Sequence, residues 1–217
     1  MNISKLIALA NDSGGTLYLM CLLLLVALTV IIERSRYVLS MQQGGEALMN
    51  LLRDHVALHS EPARALLVKF ANLPHARMFH AATLEPAGAP REAASGHLEE
   101  VLMHEVPLLD RSLWMLDTVI TLAPLLGLFG TIIGMFNAFS VLGDAQNGAS
   151  QITGGIAEAL IATASGLLIA MIGLIFFNWL NTRIRVIVHQ LETIKIMLLN
   201  RAPVADEHAV AARLRTA

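Results

Sequence analysis

The amino-acid sequence predicts an all-α integral membrane protein with three transmembrane helices. The chain of 217 residues is 55% hydrophobic and only 15% charged, with a mean hydropathy of +0.62, whereas soluble proteins carry about 25% charged residues. Three stretches with no charge or one charge are each long enough to cross a hydrocarbon core, which takes about 20 helical residues. Arginines are concentrated at one end of each stretch. These three observations define the fold class.

The first predicted span is residues 17–37, after an N-terminal segment of residues 1–16. Its apolar core ends at Ile32 and is followed by Glu33 and Arg34. A secretory signal peptide carries its basic residues before the apolar core instead. We therefore expect this segment to remain as a membrane anchor.

The second and third predicted spans are residues 113–142 and 153–181, joined by a short loop of residues 143–152. The second span has no charged residue from position 118 onward, and the third has one, Glu158. A connection this short favours an antiparallel helical hairpin. Two of the three spans should therefore be direct neighbours.

Basic residues at the ends of the spans indicate their orientation. Arginines follow the apolar core of the first span, precede the second span and follow the third: Arg34, Arg36, Arg111, Arg183 and Arg185. The positive-inside rule relates such residues to the cytoplasmic side. We expect the N-terminus outside and both polar segments, residues 38–112 and 182–217, in the cytoplasm.

The polar segment of residues 38–112 predicts several short helices. Residues 46–58 have the pattern of an amphipathic helix. Residues 92–109 form another, which we expect to lead directly into the second span, with Pro107 bending it or marking its edge. Turns are expected at prolines between them: Pro62, Pro74, Pro86 and Pro90.

The third helix should continue beyond the membrane. Apolar residues recur every three or four positions after it: Ile184, Ile187, Leu191, Ile194 and Leu198. This spacing suits a helix that packs against neighbouring helices in water. We expect the polar tail from Pro203 to be frayed.

Glu158 is the main candidate functional residue. A charge at the bilayer centre costs about 2.5–3.5 kcal/mol for Arg, Lys or Asp on insertion scales. Glu158 should therefore face a protein interior or a water-filled lumen, where a carboxyl group can take up and release protons. Ala162 and Ser165 share its helix face and are small, which favours this position. The alternative is that Glu158 faces water at the outer interface.

Small residues recur in both inner spans. Gly127, Gly130 and Gly134 lie in the second span, and Ala162 and Gly166 in the third. Such spacing lets helix backbones approach closely in a membrane. We interpret these positions as helix-packing residues of a tightly packed oligomer. The leucine-rich first span lacks such rows and should lie at the lipid-facing rim.

Thr131 and Thr163 are the other polar candidates inside the spans. The ordinary alternative for a membrane threonine is a hydroxyl bonded to a carbonyl of its own helix. Thr163 is five residues from Glu158, about 140° around an ideal helix. Both can line one lumen only if its wall includes a broad helix face.

The remaining reactive residue types form no recognised site. His55 and His59 lack a third ligand of suggestive spacing, and His104-Glu105 is not followed by the second histidine of HExxH. We expect the six histidines of the polar segment to be solvated. Cys21 is expected to be a packed or lipid-facing hydrophobe. The net charge of −2 argues against nucleic-acid binding.

Two segments together resemble the MotA/TolQ/ExbB proton-channel family. They are LGLFGTIIGMFNAF at 126–139 and GIAEALIATASGL at 155–167, and IIER at 31–34 is similar too. The resemblance implies a non-enzymatic motor subunit of the Gram-negative inner membrane, with a periplasmic N-terminus, no cofactor and the proton gradient as its energy source. It also implies a homo-oligomeric ring in the lipid bilayer, pentameric in the known architecture.

The resemblance further implies protein partners. The ring would surround the single-span helices of an ExbD- or TolR-type protein, which carries a membrane aspartate. A TonB- or TolA-type protein would transmit the work to the outer membrane. By motif, Thr131 matches the threonine of LFGT, Glu158 the glutamate of GIAEAL, and Thr163 the threonine five residues later. In the family these groups line the lumen. Many relatives have a proline after Gly166 that this chain lacks, so its third helix should be straighter.

Within the family, the motifs favour an ExbB-like subunit that energises TonB-dependent transport. One alternative is a TolQ-like subunit of the Tol-Pal envelope-integrity system. Another is a structural scaffold without proton coupling, in which Glu158 only makes a helix-to-helix hydrogen bond. An intramembrane hydrolase has little support, because no second catalytic group accompanies Glu158.

Overall fold

A computed structural model of the protein describes residues 15–53, 65, 67–84, 90–140 and 148–201. This part of the chain contains helices and no strand, which confirms the all-α fold class. The longer helices are, in chain order, α1 (Thr16–Arg53), α2 (Pro74–Leu84), α3 (Arg91–Asp110), α4 (Leu113–Ser140) and α5 (Gly148–Arg201).

Three helical stretches in the described residues are long and apolar enough to cross a membrane. They are Thr16–Asn50, Arg91–Ser140 and Thr153–Asn200. The first and third stretches contain the first and third predicted spans, and the second stretch contains the predicted second span as far as Ser140; residues 141–142 lie outside the described part. Each stretch also extends into a more polar region. The three-span plan is therefore confirmed.

The chain divides into two compact units. We call Met1–Ser35 with Ser112–Leu180 the membrane unit, and Arg36–Arg111 with Asn181–Ala217 the polar unit. The membrane unit thus contains the three apolar stretches, and the polar unit contains most of the charged residues. Both units are discontinuous in sequence.

The first helix of the membrane unit has two distinct sides. Ala27, Val30 and Ile31 are buried, whereas Leu25 and Leu28 are exposed. Exposed leucines in an apolar helix suit contact with lipid chains. This distribution is compatible with the expected position of α1 at the rim.

The polar unit has its own hydrophobic core. It joins α2, α3 and α5 through Phe79, Ala81, Ala94, Leu98, Ile194, Leu198 and Leu199. All five apolar positions predicted for the extension of α5 are buried. The period of three and four residues therefore located the packed face of this helix correctly.

Polar contacts surround this core. Lys195 of α5 pairs with Glu99 of α3, and Arg77 of α2 binds Glu105 of α3, with 2.6 Å between Nη1 and Oε1. Arg183 of α5 donates to Gln42 of α1 at 3.2 Å. In the described part of the polar unit, α1, α2, α3 and α5 therefore each have a side-chain contact with another helix.

Two predicted boundaries are wrong. The amphipathic helix predicted at residues 46–58 is not separate, because α1 continues without a break through Arg53; residues 54–64 lie outside the described part. The helix α5 begins at Gly148, inside the predicted loop of residues 143–152; residues 141–147 lie outside the described part. Pro62, Pro86 and the tail from Pro203 also lie outside the described residues.

The direct passage from α3 into the second span is also wrong. Arg111 and Ser112 form a turn between α3 and α4, and Ser112 has a φ of 73°, which lies in the left-handed region. Nη2 of Arg34 donates to Oγ of Ser112 at 3.1 Å. Pro107 lies inside α3 near its end, so it does not itself end the helix.

Candidate functional site

The α4–α5 hairpin is packed backbone to backbone. A Cβ added at Gly127 would lie 3.0 Å from Cα of Thr163, and one added at Gly166 would overlap the carbonyl oxygen of Ala123. At Gly166 only glycine fits, because the overlapping atom belongs to the backbone, and at Gly127 a larger residue would have to push Thr163 away by a few tenths of an ångström. Earlier residues of α4 meet later residues of α5, so the two helices are antiparallel, as the short connection predicted.

Three helices meet at Gly130. A Cβ at this position would lie 2.9 Å from Cβ of Ala162 and 3.1 Å from Oγ1 of Thr16. At Gly134, the next small residue of α4, it would lie 3.0 Å from Cβ of Ala159. The small rows therefore pack the chain against itself. They give no support to the interpretation that assigned them to contacts between subunits.

The two candidate threonines make different hydrogen bonds. Oγ1 of Thr131 donates to the carbonyl oxygen of Leu128 in its own helix at 2.6 Å, the ordinary arrangement. Oγ1 of Thr163 donates across the hairpin to the carbonyl oxygen of Gly127 at 3.1 Å. Thr163 therefore ties α5 to α4 at the position where Gly127 leaves the backbone accessible.

Glu158 lies beside the packed row of α5. Its side chain is half-buried, and Oε1 is shielded from solvent. Ala162, one turn further along, is 1% exposed and packs at Gly130, while Ser165 is half-buried. The predicted small face next to Glu158 is thus the edge of the helix-packing surface.

The hairpin carries its polar candidates on two different faces. At about 100° per residue, Glu158 and Thr163 flank opposite sides of the buried row that includes Ala162. Because the helices are antiparallel, Thr131 of α4 lies on the Thr163 side. Gly130, which approaches Thr16, lies on the Glu158 side. We call these the threonine face and the glutamate face.

Thr16 is a site residue that the sequence analysis missed. It is only 5% exposed, and its hydroxyl lies where α1 approaches the glutamate face at Gly130. In the sequence it is merely the residue before an apolar run, with the appearance of a helix cap. To identify Thr16 as a site residue from the sequence, one would have to know which helix lies beside Gly130.

The histidines form no metal site in the part of the chain that the structure describes. No group of three or more His, Cys, Asp or Glu residues there could hold a metal ion, and His55 and His59 lie outside it. His104 is exposed. The expectation of solvated histidines is wrong for His75, which is 0% exposed.

Comparisons with known proteins agree with the motifs. The sequence profile described as the MotA/TolQ/ExbB proton channel family matches residues 70–193. An ExbB-like biopolymer transport protein of Synechocystis is 38% identical over 158 residues, which cover 71% of this chain and 74% of that protein. The matched region includes both segments that carry the candidate residues.

Relatives with two different names are found at lower identity or coverage. The biopolymer transport protein ExbB of Neisseria meningitidis is 25% identical over 202 residues, covering 86% of this chain and 92% of that protein. The Tol-Pal system protein TolQ of Haemophilus influenzae is 40% identical over 84 residues, covering 38% of this chain and 37% of that protein.

Proposed function

Because the chain belongs to the MotA/TolQ/ExbB proton channel family, we propose that it is the ring-forming subunit of an inner-membrane motor driven by the proton-motive force. The motor would be ExbB-like and would energise TonB-dependent transport across the outer membrane. The broad similarity to ExbB proteins, over 86% of this chain in one case, supports this branch.

Glu158 is the observation that carries the proposal. It is a carboxyl group on an otherwise uncharged helical stretch, half-buried beside a seam that leaves no room for larger side chains. A carboxylate held in such a place has to be neutralised, hydrated or paired, because its charge is costly in hydrocarbon. We infer that Glu158 changes its protonation state during the motor cycle.

Thr131 and Thr163 would line the same proton pathway, although they lie on the opposite side of the hairpin from Glu158. They lie on the threonine face, whereas Glu158 lies on the glutamate face, so one isolated hairpin cannot direct all three into a narrow lumen. In a closed ring, each hairpin has neighbours on both sides. We propose that the threonine face of one subunit and the glutamate face of the next border a common polar path.

The proposed partners follow from the family. A single-span protein of the ExbD or TolR type would occupy the ring, and a TonB- or TolA-type protein would receive the work. We propose a pentameric ring with the polar unit in the cytoplasm, which the arginines at the span ends support. Glu158, near the start of α5, would then lie in the periplasmic half of the membrane.

A growth test examines the role of Glu158. An ExbB-deficient Gram-negative host would receive this chain with its genomic-neighbour partner under iron limitation. Glu158→Gln removes the ionisable group but keeps hydrogen bonding, and Glu192→Gln changes an exposed carboxylate of the same helix. We expect rescue by the wild type and Glu192→Gln, with growth lost for Glu158→Gln at equal membrane levels.

The other outcomes separate the alternatives. Equal rescue by Glu158→Gln would contradict proton exchange and favour the scaffold, in which the side chain only donates or accepts hydrogen bonds. Failure of the wild type would contradict the ExbB branch. The similarity to TolQ proteins makes a TolQ-like role the second candidate, and detergent resistance of a TolQ-deficient host would then be measured.

A further inference from the structure

His75 occupies a position in the polar unit that the proposed motor does not require. It is the second residue of α2 and is 0% exposed. Its neighbours Ala76 and Phe79 are also buried. The His75 ring therefore has no access to water, although it lies outside the membrane unit.

A pair of glycines in α1 creates the space for this histidine. A Cβ at Gly45 would lie 2.5 Å from Nε2 of His75 and 2.6 Å from Oε1 of Gln190 in α5. A Cβ at the preceding Gly44 would overlap the side chain of Leu73. Glycine is unfavourable inside a helix, so two in succession are explained here by the packing of residues 73–75. We call this contact the glycine notch.

The polar atoms in the notch are poorly satisfied. Among the described residues, neither ring nitrogen of His75 forms a hydrogen bond of acceptable geometry. The buried Oε1 of Gln190 accepts none either. Burial lowers the pKa of His75 from 6.5 to about 4, and the nearby Gln190 side chain opposes this effect only in part. The notch therefore accommodates the neutral ring and disfavours the charged one.

Ionisable groups on the surrounding helices do not offset this burial. Glu46 of α1 and Glu192 of α5 are exposed, where water screens their charges. On α2 itself, Arg77 is directed to Glu105 of α3, which it binds at 2.6 Å. The exposed His189 of α5 lies next to Gln190 in sequence and faces solvent.

We propose that His75 is an acid-sensitive latch, which holds residues 67–84 against α1 and α5 while its ring is neutral and releases them when the ring is protonated. A released ring regains hydration and hence its ordinary proton affinity. This conformational device is independent of the proposed motor function, because it rests only on contacts within the polar unit.

The direction of the pH dependence follows from linkage. The pKa of His75 is lower in the closed state than in the open state, so protons bind preferentially to the open state. The latch is therefore fully stable above about pH 6.5 and weakens as the pH falls towards about 4. Between about pH 7 and about pH 5, the ratio of closed to open molecules should fall about 20-fold.

Hydrogen exchange of the full-length protein in lipid nanodiscs tests the latch. Peptides from residues 67–84 would be followed between about pH 7.5 and about pH 5, with correction for the intrinsic pH dependence of exchange. We expect the protection factors of the wild type to fall about 20-fold over the lower two pH units. His75→Gln, which cannot become charged, should lose this fall.

His189→Gln is the matched control, since it removes an exposed histidine from the contacting helix and should retain the wild-type pH dependence. Equal pH dependence in the wild type and His75→Gln would overturn the proposal. If His75→Gln does not assemble in the membrane, His75→Phe replaces it. A wild type whose protection factors for residues 67–84 stay constant over the whole range would also overturn the proposal, whatever the variants do.

Discussion

At the scale of single residues, the environment of a side chain is decided by residues far away in sequence. The hydroxyls of Thr29, Thr118 and Thr131 donate to carbonyl groups of their own helices, whereas that of Thr163 donates across to Gly127. The sequence identified both candidate threonines. It could not distinguish their hydrogen bonds, because the difference depends on the bare backbone of a glycine 36 positions away.

The bond of Thr163 predicts a stability difference between matched variants. Thr163→Val keeps the shape of the side chain but removes its donor, so the hairpin should lose about 0.6 kcal/mol, the average for hydrogen bonds between membrane helices, and at most about 1.7 kcal/mol. Thr163→Ser keeps the hydroxyl donor and should retain most of this stability. Unfolding of the purified protein in mixed micelles would measure it. A loss for Thr131→Val as large as that for Thr163→Val would contradict the role of the interhelical bond.

His75 shows the limit of prediction at the same scale. A histidine in a polar segment is expected to be solvated, and nothing in residues 73–79 contradicts that expectation. Its burial follows from Gly44 and Gly45, thirty residues earlier, and from Gln190, more than a hundred residues later. Only the tertiary arrangement brings these three positions together.

At the scale of helices, the spacing of apolar and small residues was more informative than the positions of the prolines and glycines expected to end a helix. The spacing of apolar residues in α5 predicted its buried side, and the small residues of α4 and α5 predicted close approach. Neither pattern states whether a small row packs against its own chain or another. Likewise, the glycine pair in α1 does not interrupt the helix, because neighbouring side chains fill the space that it leaves.

The seam between α4 and α5 predicts opposite effects for two glycines of α5. Gly166→Ala would place a methyl group against the Ala123 carbonyl and push the helices apart, at a cost of about 1–3 kcal/mol. Gly154→Ala meets nothing within 4 Å and should be neutral or stabilise the helix by up to about 1 kcal/mol. Thermal unfolding in detergent would compare them. Equal melting temperatures would contradict the close packing at Gly166.

At the scale of the whole molecule, the sequence predicted three spans and a separate polar region, and the structure contains both. The boundary after the first span differs because α1 runs from the membrane unit into the polar unit as one continuous helix, whereas the continuation of α5 was predicted. Composition locates where an apolar stretch ends, but a helix continues as long as its backbone finds hydrogen bonds and its side chains find partners.

The orientation of the whole molecule can be tested by labelling. Gly96 and Gly154 are exposed, and a Cβ added at either position would meet nothing within 4 Å outside its own stretch of helix, so each tolerates a cysteine in a Cys21→Ala background. With the polar unit in the cytoplasm, a membrane-impermeant maleimide should label Gly96→Cys only in inverted vesicles. Gly154→Cys, near the start of α5, should react with the same maleimide in intact spheroplasts. The reverse pattern would contradict the proposed orientation.

The discontinuity of the polar unit has a consequence for how the protein is made. The apolar side of Phe79 and Leu98 is covered by Ile194 and Leu198, which are synthesised after the last span. At about 5–20 residues per second, the ribosome needs roughly 5–20 s to pass from α3 to the end of α5. During this interval the apolar side chains of α2 and α3 are not yet covered by α5. A ribosome-bound chaperone or a protease can then bind a surface that the finished protein buries.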